Sequence, residues 1–131
     1  MGHQLTKSRL CVLQAIVLAS LGLIPQLSLA GDLATGKNLY QTNCLSCHGA
    51  TGDGKGPATK DMYLNPRSFV VGDFKFDTDA DWERGTKADI AAVIDKGANV
   101  FGGSSLMPGW GGTLSSSEIA DLVTYIQSLK E

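Results

Sequence analysis

Five consecutive residues, Cys44-Leu45-Ser46-Cys47-His48, carry the most concentrated chemistry in the 131-residue chain. On one helical turn, positions i and i+3 face the same way, so both thiols can reach the two vinyl groups of a single porphyrin. His48 follows at once and would be held beneath the iron as an axial ligand. Cys-x-x-Cys-His is the spacing of covalent haem attachment. A dithiol redox centre would need a strand-helix-strand setting, whereas residues 31–43 read as helix and 49–56 as a glycine-rich loop. A structural zinc site wants four ligands, and here only Cys44, Cys47 and His48 stand together.

The second axial ligand is narrowed by elimination. The chain has two histidines, His3 and His48, and His3 lies in a leader-like segment, which rules out a pair of histidine ligands. Two sulfur donors remain in the body of the chain, Met62 and Met107. Met62 comes only 14 residues after His48, and a lone methionine is usually core filler. Met107 sits in Gly102-Gly103-Ser104-Ser105-Leu106-Met107-Pro108-Gly109-Trp110, a loop between two helices that could carry a side chain across to the far side of a haem. Met107 is therefore the expected sixth ligand.

The first 30 residues differ in character from the rest. Lys7 and Arg9 precede an apolar run from Cys11 to Ile24, and Ser28-Leu29-Ala30 supplies small residues at a cleavage position, the order of a secretory signal peptide. The alternative is a retained anchor, but the run falls short of the roughly 20 apolar residues that span a bilayer. The expected division is a cleaved leader at 1–30 and one domain at 31–131, in the periplasm or an equivalent exported compartment, with no stable membrane insertion. Removing Lys7 and Arg9 leaves nine basic against 13 acidic residues, a net charge of −4. Such a chain is a poor ligand for nucleic acid. The charge suits a partner with a basic or apolar face, or serves solubility alone. Cys11 leaves with the leader, so no disulfide framework braces the small domain, and a buried haem would organise it instead.

The elements that must position these residues read as helices. From Leu33, residues Gly36, Tyr40, Cys44 and Cys47 fall within about one third of a helix circumference, so the packing face also carries the attachment site. Gly36 lacks a Cβ and would let another helix approach closely. Thr86 and Asp89 open a helix through Ile90, Val93 and Ile94 that stops at Gly97. Ser115 and Glu118 form a capping box before Ile119, Leu122, Val123, Ile126 and Leu129. No stretch alternates as a strand would. Between Gly49 and Trp82 the reading is a glycine loop, a short helix over Thr59–Leu64, a turn at Asn65-Pro66, and a solvated run of five acids, Asp73, Asp77, Asp79, Asp81 and Glu83. The glycine and closing glutamate of a calcium-binding hand are missing from that run. Arg67 and Trp82 are candidates to bond haem propionates, against surface charge and core packing respectively.

These ordered motifs resemble the class I monohaem cytochromes c across the whole of residues 31–131. The resemblance rests on the opening helix with Gly36 and Tyr40, on Cys44 to His48, on Gly54-Lys55-Gly56-Pro57, on Met107-Pro108, and on the closing helix with Tyr125. It implies an all-α fold of three to five helices around one covalent haem c, with first and last helices crossing and a His48/Met107 axial pair. It also implies that the Pro57 carbonyl accepts a hydrogen bond from the other nitrogen of His48.

With both axial positions filled, such a protein cycles between ferrous and ferric iron and passes single electrons between redox proteins; it is not expected to be an enzyme. Two other classes remain at this stage. One is a catalytic or gas-sensing haem from which Met107 dissociates, and the other is a permanent haem subunit of an oxidoreductase.

Overall fold

The computed structural model describes residues 31–60, 63 and 65–131, and within them every regular element is helical. Residues 1–30, the expected leader, with His3 and Cys11, lie outside the described residues, as does Met62. Helix α1 spans Leu33–Asn43, the single turn α2 Leu45–His48, α3 Lys87–Lys96 and α4 Ser116–Ser128, with 3-10 turns at Pro57–Thr59 and Ala98–Phe101. The all-α class and the helix count agree with expectation.

Each long helix starts where its side chains can satisfy the free amides of a first turn. The Asp32 carboxylate accepts from the Thr35 amide at 2.6 Å. Thr86 and Asp89 cap each other reciprocally, as do Ser115 and Glu118. Helix α3 ends at Gly97, whose φ of 85° a side chain would strain.

Helix α1 packs across α4, the most extensive pairing among the described elements. A Cβ at Gly36 would run into the Asp121 carbonyl, so that glycine is what lets the two backbones meet. The crossing is pinned where the Asp32 amide donates to the Asp121 carboxylate at 2.6 Å. Below it lies the core of Tyr40, Ile90, Ile94, Ile119, Leu122, Val123 and Ile126. Tyr40 is fully buried, and its hydroxyl donates to the Gly49 carbonyl at 2.7 Å, which satisfies both groups. Leu33 departs from the expected face: at the first position of α1 it is 51% exposed.

The glycine loop closes back over α2. The Gly54 amide donates to the His48 carbonyl at 2.9 Å and the Gly56 amide to the Cys47 carbonyl at 3.1 Å, so the loop supplies the bonds that a longer helix would have made. The chain makes a 3-10 turn at Pro57–Thr59; the short helix expected over Thr59–Leu64 falls largely outside the described residues, which leave out 61, 62 and 64.

The acidic run is largely solvated, but it is not featureless. Asp89 of α3 reaches it and is 2% exposed, accepting from the Thr78 amide and hydroxyl and from the Thr86 amide and hydroxyl. Burial works against its charge, yet those hydrogen bonds outweigh burial and hold the carboxyl below the usual range. Trp82 does not take the core-packing role expected of it. It is 93% exposed, away from both core and cavity, because the Asp77 carboxylate ties its amide into a tight turn at 3.1 Å with φ of 72°.

Candidate haem-binding site

Cys44 is the residue at which α1 stops, and α2 begins one residue later. The amides of Cys47 and His48 both donate to the Cys44 carbonyl, at 3.2 and 2.9 Å, which winds the motif into one turn and sets its two thiols on a shared side. Neither thiol is in a disulfide. Burial pushes the Cys44 thiol up to about 11, with the Cys47 sulfur adding to the shift. A reactive dithiol centre works through a thiolate of lowered pKa, so this arrangement argues against that chemistry and for a protonated thiol.

His48 is buried enough that its imidazole is pushed down to about 4. At neutral pH the ring is uncharged, the form that binds a metal. Its Nδ1 is buried and has no hydrogen-bond partner. The expected acceptor is not engaged: no bond joins Nδ1 to the Pro57 carbonyl. The adjoining turn closes on itself instead, with the Thr59 amide and hydroxyl both donating to the Gly56 carbonyl at 3.0 and 2.7 Å. The imidazole is instead stacked on Phe69, with ring centroids 4.7 Å apart and planes 15° from parallel.

Cys44, Cys47 and His48 open onto a cavity of about 340 Å³ that Met107 also lines. Met107 reaches it through backbone bonds rather than helix geometry. The Ala98 amide donates to the Met107 carbonyl at 3.1 Å, and farther along the loop the Trp110 amide donates to the Ile94 carbonyl at 2.8 Å. Close contact between Gly97 and Gly109 makes this possible, since a Cβ at Gly97 would meet the Gly109 amide. Arg67 lines the same cavity and is paired with Asp73. Pro57 and Trp82 do not line it.

Residues 31–126 match the sequence profile of the family described as cytochrome C oxidase, cbb3-type, subunit III. The chain belongs to this family of c-type cytochromes. Cytochrome c6 of Synechocystis sp. is 29% identical over 99 residues, covering 76% of this chain and 67% of that protein. The cbb3-type cytochrome c oxidase subunit CcoP of Azospirillum sp. is 31% identical over 100 residues, covering 76% of this chain and 29% of that subunit. The fold is shared with a chain of the Kuenenia stuttgartiensis reducing HAO-like protein complex, at a TM-score of 0.65 and 30% identity over 78% of this chain and 44% of that one. This cytochrome is thus a small monohaem electron carrier whose cofactor is covalent haem c. It spans under a third of the Azospirillum subunit and under half of the Kuenenia chain.

The cavity suits that cofactor on its own chemistry. Two thiols, a neutral imidazole and a thioether face a space whose other walls are mostly apolar, among them Ile90, Val93, Ile94 and Ile126. Helical spacing had placed those four on inner faces. Phe69, Phe74 and Trp110 also line the cavity, and no sequence periodicity marks them, because each sits on irregular chain. For Trp110 the one available signal was its place next to Met107-Pro108-Gly109.

Proposed function

We propose that Cys44 and Cys47 form the thioethers to the haem, that His48 and Met107 are its axial ligands, and that the protein ferries single electrons between redox partners in an exported compartment. The observation that carries the assignment is the convergence of these four side chains on one apolar cavity. Haem iron supplies the ferrous/ferric couple once bound. The protein's part is to present a neutral imidazole and a thioether, two ligands that leave the iron no open position, and to line the rest with hydrocarbon. A thioether ligand and a dry surround both favour the ferrous state and raise the potential. Leu106 and Val100, 63% and 60% exposed on and beside the Met107 loop, offer an apolar patch for a brief encounter of small area.

For the leader, the reading remains cleavage after Ala30, which leaves 31–131 as the working domain. No helix among the described residues is long and apolar enough to cross a membrane. The mass of the exported protein checks the cleavage point directly.

The deciding experiment is absorption spectroscopy of the ferric protein. A near-infrared methionine-to-iron charge-transfer band is expected, and Met107→Ala should abolish it while opening the reduced protein to carbon monoxide. Persistence of the band in that variant would return the role to Met62. A second reading, a permanent haem subunit of an oxidoreductase, is favoured by the likeness to a CcoP subunit and to a chain of a larger complex. Size-exclusion of native extract separates the two, since a carrier elutes at its own mass.

A further inference from the structure

His48 belongs to a stack of three rings. Phe69 lies against the imidazole at 4.7 Å and 15°, and Phe74 lies against Phe69 at 5.9 Å and 17°. Phe69 itself is fixed from several directions. Its amide donates to the Gly52 carbonyl at 2.7 Å, its ring meets Tyr40 edge-on at 6.5 Å and 67°, and it packs so closely on Gly52 that a Cβ there would touch it. Phe74 is boxed in turn by Gly85, where any Cβ would collide with the ring. A metal-binding imidazole is ordinarily held in one orientation by a hydrogen bond at its second nitrogen. Here that nitrogen, Nδ1, is buried without a partner.

We infer that Phe69 is the positioning residue for His48, fixing the plane of the imidazole about its bond to iron by ring stacking, with Phe74 as the brace behind it. The inference rests on His48 being the axial ligand. A ring stacked face to face cannot turn about that bond without losing the contact, whereas an aliphatic side chain of similar bulk would allow it to rotate. The orientations of the two axial ligands together determine how the unpaired electron of ferric haem spreads over the four pyrroles. The four haem-methyl proton resonances therefore report a turn of the imidazole wherever the near-infrared band shows the methionine side unchanged.

The test compares these resonances in the ferric holoprotein for wild type, Phe69→Leu, Phe69→Tyr and Phe74→Leu, with Leu122→Ala as a core variant that does not line the cavity. Phe69→Leu should change the order of the four methyls or narrow their spread, Phe69→Tyr should restore the wild-type order, and Phe74→Leu should shift them in the same sense by less. Leu122→Ala should lower the melting temperature and leave the order alone. An unchanged order in Phe69→Leu overturns the inference, making Phe69 packing and nothing more. Should that variant fail to accumulate as holoprotein, Phe74→Leu decides alone, and an unchanged pattern there also overturns it. The underlying ligand assignment is read separately in the reduced wild type, where an axial imidazole gives ring protons strongly shifted upfield. Their absence removes His48 as ligand, while their presence beside an unchanged Phe69→Leu pattern removes only the stacking role.

Discussion

The wall of the cavity that carries His48 and the wall that carries Met107 are built on different principles. His48 ends a helical turn whose backbone is bonded in every direction. Its amide donates to Cys44, its carbonyl accepts from Gly54, and the neighbouring Cys47 carbonyl accepts from Gly56. Its ring is stacked and buried. Met107 is half-buried on a loop whose residues Ser104, Ser105, Leu106, Pro108 and Gly109 are exposed, and it is held by two backbone bonds: its carbonyl accepts from the Ala98 amide, and its amide donates to the Ser104 carbonyl at 3.3 Å. One of these two proposed ligands is redundantly fixed by helix and rings. The other depends on how well a loop docks against the end of α3.

That contrast can be broken at several points, in decreasing order of effect. Replacing both Cys44 and Cys47 with Ala removes the covalent hold on the His48 wall, so acidified organic solvent should strip all haem from the variant and none from wild type. Retention of haem after that extraction would refute attachment at these thiols. Gly36→Val forces α1 away from α4 and should cost about 3 kcal/mol in denaturant unfolding, at the upper end of overpacking penalties. Because the crossing is remote from the Met107 loop, the near-infrared band of the folded variant should stay. Gly97→Ala acts on the other wall: the residue's φ of 85° and ψ of 155° suit glycine alone, so a loss of about 2 kcal/mol is expected. This time the band should weaken, since the Cβ lands where the loop docks. A full-strength band in Gly97→Ala would mean that Met107 is held by something other than that contact.

The smallest effect concerns Asp89, which lines the cavity and ties residues 78 and 86 to α3. Its carboxyl is held below the ordinary value, so the folded state favours the ionised form. The stability this contributes is complete above the unfolded value of about 4 and drains away as pH falls through the folded one. Asp89→Asn should cost about 1 kcal/mol at neutral pH, the scale of a helix cap, and should flatten the acid limb of the stability curve below about pH 4. A wild-type acid limb in that variant would locate the acid sensitivity elsewhere, with Asp32 and Glu118 the next carboxyls to test.

How far the sequence could be read depended on whether a feature was local. The capping boxes at Thr86/Asp89 and Ser115/Glu118, the stripe from Ile119 to Ile126 and the close approach at Gly36 all follow from side chains within a turn or two of one another. Leu33 shows the limit even there, since periodicity gives a residue's face and not whether the partner helix extends far enough to cover it. Between Gly49 and Gly85 little was legible. No hydrogen bond joins His48 Nδ1 to Pro57, and Trp82, expected against the core or a propionate, stands exposed in the turn that Asp77 closes.

By itself, then, the sequence determined the single turn that ends at His48 and the three long helices that frame it, because each is set by spacing along the chain. Only the tertiary structure decided that Phe69 and Phe74 stand behind His48, that Asp89 gathers the acidic run, and that Met107 comes to the cavity through bonds at Ala98 and Ile94. These placements are made by backbone hydrogen bonds and ring contacts between distant segments of irregular chain, and such contacts have no period for a sequence to display.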